Sequence, residues 1–221
     1  MLSWLTDEIR RRKRPDMPLK VAIDGRCASG KTSLADSLAP RLREYGFEVL
    51  RPSVDGFHHP KAYRYRQGEY SAAGYYEDAF NYAAVVSHLL EPLSSRAFPV
   101  VCRSASHDVR TDATVDDPIE VSSNAVLLFD GLFLFRHELN AYWDFRVLLD
   151  VDPTTSVARA VERDSGPDAA PDVVRRKYEL RYEPAWQMYC DFEAPNGKAD
   201  VVIDNRDVAT PRFLKGGPVG R

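Results

Sequence analysis

Cysteine is scarce in this 221-residue sequence: Cys27, Cys102 and Cys190 are an odd number at wide spacings, with no CxxC pair. That excludes a disulfide scaffold or a cysteine-rich zinc site and leads us to expect free thiols in a reducing, cytoplasmic setting. Apolar runs of bilayer length are also missing. The longest, Ala125 to Phe135, is interrupted by Asp130 and falls far short of the ~20 residues a membrane helix needs. Residues Met1 to Arg14 run apolar first and basic after, the reverse of a secretory signal. Neither sign of charge is in excess, since 30 basic against 33 acidic side chains leave a formal charge of −3. A dedicated polynucleotide binder usually shows a clear basic surplus, so neither nucleic acid nor a membrane is expected as partner. The sequence shows no internal repeat and no linker, and its length suits one domain of roughly 150 residues with insertions.

What is present is an alternation of short apolar runs and helical periods. Lys20 to Asp24 reads as a buried parallel strand, and Leu34, Leu38 and Leu42 mark a following helix that Gly46 ends. Phe47 to Ser53 is a second strand, Pro99 to Cys102 another, and Ala125 to Asp130 the strongest buried run. Phe145 to Val151 and Ala199 to Asp204 complete the strands. Helices are expected over residues 3–14 and 78–93, from Pro153 to about 163, and over 172–191. The basic run Arg10 to Arg14 suits a helix C-terminus better than a phosphate-binding patch. The pattern predicts a three-layer α/β fold around a central parallel sheet of about five strands.

Gly25-Arg26-Cys27-Ala28-Ser29-Gly30-Lys31-Thr32 fits G-x-x-x-x-G-K-[ST] between a predicted strand and a predicted helix. Gly25 and Gly30 permit a loop whose backbone N–H groups converge on an anion at a helix N-terminus, and Ser33 continues that turn. Lys31 offers a mobile cation for the β- and γ-phosphates of a nucleotide, and the Thr32 hydroxyl suits Mg²⁺. Asp130, at the end of its strand, has the character of a second Mg²⁺ group, or else caps a turn with Gly131. The Asn-Lys-x-Asp reader of GTPases and the Leu-Ser-Gly-Gly-Gln signature of transporter ATPases are both absent, which favours a small-molecule kinase. Asp55, just beyond the second strand, could share the crevice with the cradle and orient an acceptor hydroxyl; an Asp-Gly turn is its bland alternative.

The order of Gly25–Thr32, Ser53-Val-Asp55-Gly-Phe57-His58, Tyr75-Tyr-Glu-Asp78-Ala-Phe80, Phe129-Asp-Gly131 and Arg159-Ala-Val-Glu-Arg163-Asp164 resembles that of the uridine/cytidine kinases. These are P-loop kinases related to phosphoribulokinase and bacterial pantothenate kinase. The resemblance spans about residues 18–205. It implies transfer of the ATP γ-phosphoryl group, with Mg²⁺, to a nucleoside 5′-hydroxyl facing Asp55. It further implies that Asp78 holds ribose hydroxyls, with a helix N-cap as the alternative, and that His107 approaches the base unless it is an exposed loop histidine. Arg163 and Arg159, four apart on one helix face, would meet the triphosphate from a helical lid; otherwise they are surface arginines. Dimers and tetramers are common among the resembling kinases, so a homo-oligomer joins the expected partners, although no segment marks an interface.

The chain departs from that pattern in two places. Ser165 to Pro171 carries none of the extra lid arginines, and Val101 and Cys102 are not aromatic where the resembling kinases would stack a base. Tyr63, Tyr65, Tyr75 and Tyr76 are candidates for that role. Arg64 and Arg66 could bind an anionic acceptor, although solvated loop cations are the simpler reading. A kinase for another hydroxyl acceptor and a catalytically silent nucleotide-binding regulator therefore remain as alternatives. The expected organisation is an N-terminal helix over residues 1–17, an acceptor loop over 55–77, a lid over 159–177 and a flexible tail over 206–221.

Overall fold

The computed structural model describes residues 1–167 and 169–218. In chain order its strands are β1 (Leu19–Gly25), β2 (Glu48–Leu50), β3 (Val100–Arg103), β4 (His107–Asp108), β5 (Ala113–Thr114), β6 (Pro118–Val121), β7 (Ala125–Gly131), β8 (Phe145–Asp150), β9 (Val201–Asp204) and β10 (Arg212–Lys215). The helices are α1 (Leu2–Arg12), α2 (Lys31–Glu44), α3 (Lys61–Arg64), α4 (Ala72–Asp78), α5 (Tyr82–Val85), α6 (His137–Asn140), α7 (Pro153–Asp164), α8 (Pro171–Lys177), α9 (Glu183–Glu193) and α10 (Pro195–Lys198). Among the described residues, no helix is long and apolar enough to cross a membrane.

The central sheet runs β10-β9-β8-β1-β7-β2, with β10 antiparallel to β9 and every other pairing parallel. Strands β1 and β7 are buried along their whole length, as a sheet covered on both faces requires. Their side chains alternate between two cores. Val21, Ile23, Val126 and Leu128 pack with Leu5, Ile9, Leu34 and Leu38 under α1 and α2. Ala22, Leu127 and Phe129 pack on the other side with Phe133, Trp143, Trp186 and Tyr189. Each buried Val, Leu or Ile among them is worth about 1.5–3 kcal/mol. Together the two cores make the three layers read from the sequence.

Register brings the strand ends together: Ile23 lies opposite Asp130, Asp24 opposite Gly131, and Ser53 bridges to Asp130. The chain leaves β1 toward β2 and β7 on one side, then crosses to β8 and β9 on the other. A crevice opens at such a switch point, outside the carboxyl ends of the strands.

The structure differs from the sequence reading in several places. The 55–77 segment is partly helical, with a 3₁₀ turn over Val54–Phe57 followed by α3 and α4. The helix expected over 78–93 is broken into α5, a π-turn over Val86–Leu90 and a 3₁₀ turn over Pro92–Ser94. Part of the 206–221 tail is not loose, because β10 adds an edge to the sheet and Phe213 packs on Trp4 at 4.9 Å. Residues 219–221 of that tail lie outside the described residues. The basic run at the end of α1 is a helix end: Arg11 and Arg12 both bond Glu8, while Lys13 bonds backbone carbonyls.

Candidate active site

The glycine-rich loop leaves β1 and enters α2 without a side-chain cap, so the first amides of α2 lack intrahelical partners and form a cradle for an anion. Gly30 has φ of 96°, and a Cβ there would meet Asn205 Nδ2 at 2.7 Å. That amide donates to Ser29 O at 2.7 Å and braces the loop from the end of β9. At Gly25 a Cβ would come within 2.5 Å of Leu149 O. Ala28 also adopts a left-handed conformation, with φ of 55°.

Two cavities meet over this loop. The larger, about 370 Å³, takes in Asp55, His58, Asp130 and the tyrosines Tyr65, Tyr75, Tyr178 and Tyr182. The smaller, about 260 Å³, takes in Gly30, Ser33, Arg159 and Val208. Ala28, Lys31, Thr32 and Arg163 line both. The site is thus a pair of cavities joined at Lys31 and Arg163, the larger of them ending at the tyrosine wall.

Most of the expected residues converge here. Lys31 is buried and donates from Nζ to Arg26 O at 2.7 Å. Burial pulls its pKa below the usual lysine value, opposed by the nearby charges of Asp24, Asp130 and Asp55. Thr32 Oγ1 donates to Asp130 Oδ2 at 2.6 Å, putting a hydroxyl and a carboxylate side by side as Mg²⁺ would require. The second Asp130 oxygen accepts from Arg51 Nη1 at 3.2 Å. Asp55 is anchored through its backbone, its N–H donating to Ser53 Oγ at 3.3 Å. Among the described residues its carboxylate has no partner, which leaves it free to face an acceptor.

The arginines from α7 stand as the four-residue spacing implies. Arg159 Nη2 donates to the carbonyls of Asn205 and Arg206, while its Nη1 is buried with no partner beside the smaller cavity. Arg163 pairs with Asp164 at 2.6 Å and reaches Tyr178 Oη at 3.1 Å. Asp164 raises its pKa further above the arginine range, so it stays charged. The amide cradle, the unpartnered Arg159 nitrogen and the buried Lys31 fit a polyphosphate, and the Thr32–Asp130 pair fits a divalent ion.

Other expectations do not converge. Arg26 turns away to pair with Glu183 and lies 5.5 Å from the Trp186 ring, so it offers the cradle only its backbone. The Cys27 thiol is pushed up to about 11 by burial and stays protonated. Asp78 ends α4 and so is not an N-cap; Asn81 caps the next helix, accepting from Ala84 N. Its carboxylate is held by Arg66 at 2.6 and 2.9 Å and by Gln67 at 2.8 Å, outside the cavity lining. Those bonds draw its pKa below the usual carboxylate value despite the opposing burial. His107 is not exposed: it is buried on the β4–β5 hairpin, bonded to Asp112 at 2.9 Å, and is outside the cavity lining that Val109 of the same hairpin reaches. Of the four candidate tyrosines, Tyr65 and Tyr75 line the cavity, whereas Tyr63 and Tyr76 do not.

Three positions escaped the sequence reading. Arg51 bridges Asp130 and Asp36. Tyr189 Oη donates to buried Asp24 at 2.6 Å, tying α9 to the root of the cradle. Arg181 is buried beside the tyrosine wall. It was detectable, because Tyr178, Arg181, Tyr182, Ala185, Trp186 and Tyr189 follow one helical stripe and an arginine on an apolar stripe has a buried task.

No protein-family model matches the chain. Uridine-cytidine kinase B of Dictyostelium discoideum is 25% identical over 191 residues, spanning 84% of this chain and 74% of the relative. Uridine kinase of Lactobacillus helveticus (strain DPC 4571) is 23% identical over 200 residues, spanning 86% and 92%. Among solved structures, one described as a possible uridine kinase from Bacillus stearothermophilus superposes with a TM-score of 0.70 at 26% identity, covering 91% of this chain and 96% of its own.

Proposed function

We propose that this chain, a P-loop kinase of uridine/cytidine kinase-like sequence and fold, transfers the γ-phosphoryl group of ATP to the 5′-hydroxyl of a pyrimidine nucleoside. The observation that carries the reading is the convergence of Lys31, Thr32, Asp55, Asp130 and Arg163 on one cavity at the strand ends. The α2 amides and Lys31 bind the donor phosphates, and Arg159 holds them from the lid side. Thr32 and Asp130 would hold Mg²⁺, which would supply neutralisation of the phosphate charge. Asp55 orients the acceptor hydroxyl and receives its proton late, as the loose transition state of phosphoryl transfer needs little basicity. Arg163 stabilises charge on the transferring group from the junction of the two cavities. The products are ADP and a phosphate monoester.

A kinase for a different hydroxyl acceptor is the second reading, favoured by Asp78: the carboxylate expected to hold ribose is occupied by Arg66 and lies outside the cavity lining. Purified protein with Mg-ATP, assayed for ADP release against nucleosides, sugars and other alcohols, decides between them. Turnover of uridine or cytidine is the expected result. Both inert alongside an active alternative would replace the first reading by the second. Bound ATP with no product from any acceptor would support a catalytically silent regulator instead.

A further inference from the structure

The acceptor side of the cavity ends at two buried arginines from distant parts of the chain. Arg64 closes α3 and is 8% exposed; Arg181 lies in a π-turn over Tyr178–Tyr182 and is 2% exposed. They flank the Tyr65 ring at 5.6 and 4.7 Å. Arg181 Nη2 donates to the carbonyl of Arg64 at 3.1 Å, which fixes the pair in one wall.

Arg181 has no counter-ion among the described residues, and Arg64 has a single one at the edge of reach. Among the described residues Arg181 makes no ion pair; its Nη1 is spread over the carbonyls of Gly68, Glu69 and Ser71, and its Nε has no partner. Arg64 reaches Asp112 only at 3.5 Å, and its Nε is also buried without a partner. Asp112 is already shared by His107 at 2.9 Å and the Lys61 amide at 2.7 Å. An arginine cannot shed its proton, and an uncompensated buried cation costs several kcal/mol. Carbonyl dipoles offset part of that cost for Arg181, and the tyrosine faces offset a further part.

This charge is not placed for the nucleotide. Arg64 and Arg181 line only the larger cavity, while Gly30, Ser33 and Arg159 line only the smaller. Two of the other cavity carboxylates are already bonded, Asp130 by Thr32 and Arg51 and Asp164 by Arg163, and the third, Asp55, has the acceptor role proposed above. Burial lowers the pKa of His58, so that side chain is neutral.

Resting on the phosphotransfer reading and refining its acceptor, we propose that the acceptor carries an oxyanion, phosphate or carboxylate, seated on Arg64 and Arg181. In the transfer, the acceptor hydroxyl oxygen bonds to the γ-phosphorus as the bond to the bridging oxygen breaks. The hydroxyl proton passes to Asp55, and the acceptor's own oxyanion is untouched. Arg64 and Arg181 are thus specificity residues, and the tyrosine wall covers the body of the molecule between them and Asp55.

Matched acceptor pairs test this with Mg-ATP: uridine against uridine 3′-monophosphate, fructose against fructose 6-phosphate, and glycerol against D-glycerate. At least one oxyanion member should exceed its neutral partner about 10,000-fold in kcat/KM, the scale on which a site built for a polar group rejects an analogue lacking it. Preference confined to the phosphates or to glycerate identifies the oxyanion. Arg181→Met and Arg64→Met should each raise the KM for that acceptor about tenfold or more with the KM for ATP unchanged. Arg181→Lys should recover part of the loss, and Arg64→Met, on a surface-proximal short helix, serves if Arg181→Met fails to fold. Equal turnover within every pair, or variants that keep the wild-type preference, overturns the oxyanion site and leaves the kinase reading standing. No product from any acceptor rejects phosphotransfer, and the oxyanion site with it.

Discussion

Thr32 Oγ1 donates a 2.6 Å hydrogen bond to Asp130 Oδ2, joining the first turn of α2 to the end of β7 across 98 residues of sequence. On the proposed reading the pair would hold a divalent ion. Asp130→Asn should cut turnover about 100-fold or more and raise the Mg²⁺ concentration needed for half-maximal rate. Steady-state ADP release across a Mg²⁺ titration measures both. Wild-type Mg²⁺ dependence in the variant would remove Asp130 from the metal site.

Among the described residues the Asp55 carboxylate has no partner, so Asp55→Asn keeps the packing of its 3₁₀ turn and loses only charge and, on the proposed reading, proton acceptance. The expected outcome is a fall in kcat of about 100-fold to 10,000-fold with ATP binding retained. Lys31→Ala should lose both turnover and ATP affinity. Calorimetric titration with a non-hydrolysable ATP analogue separates the two variants. Normal phosphate transfer by Asp55→Asn would end its assignment.

Asp24 carries a pH-dependent stability of unusual sign. Burial raises its pKa to about 6, against the hydrogen bonds from Tyr189, Gly25 and Leu134 and the charge of Lys31. Its folded pKa is above the unfolded one, so the stability it contributes is present below pH ~4 and lost as pH rises through ~6. The loss amounts to about 3 kcal/mol at roughly 1.4 kcal/mol per unit. Asp24→Asn stays neutral throughout. Plotted against pH, the Tm of the wild type minus that of the variant should fall between pH 4 and 6. A flat difference would show that Asp24 does not titrate in this window.

Gly30→Ala would force a side chain into a left-handed turn against the Asn205 amide. A loss of about 1–2 kcal/mol from backbone strain alone is expected, with weaker nucleotide binding as the brace on Ser29 shifts. Urea unfolding gives the first number and ATP titration the second. A Gly30→Ala variant as stable as wild type would argue that the loop relaxes freely.

The layers were legible because β1 and β7 are apolar runs that end in Asp-Gly at the same crest, and the cradle was legible because its chemistry requires its residue types. Asp78 was placed correctly in sequence and wrongly in environment. Nothing in Tyr-Tyr-Glu-Asp-Ala-Phe says that Arg66, twelve residues earlier, folds back onto that carboxylate. Arg64 looked like a solvated loop cation because α3 is too short to show a period, yet its one buried turn places it in the wall. The extra strand β10 was hidden for a related reason: Arg212 to Lys215 is half polar, and an edge strand needs only one face covered.

Four residues, Ala28, Lys31, Thr32 and Arg163, belong to both cavities, so on the proposed reading donor and acceptor would each rest against a partition that the other also touches. A coupling between the two sides would run through these shared residues. Whatever factor a bound nucleotide contributes to acceptor binding, a bound acceptor returns to the nucleotide by the same factor, because the two routes to the ternary complex close a thermodynamic cycle.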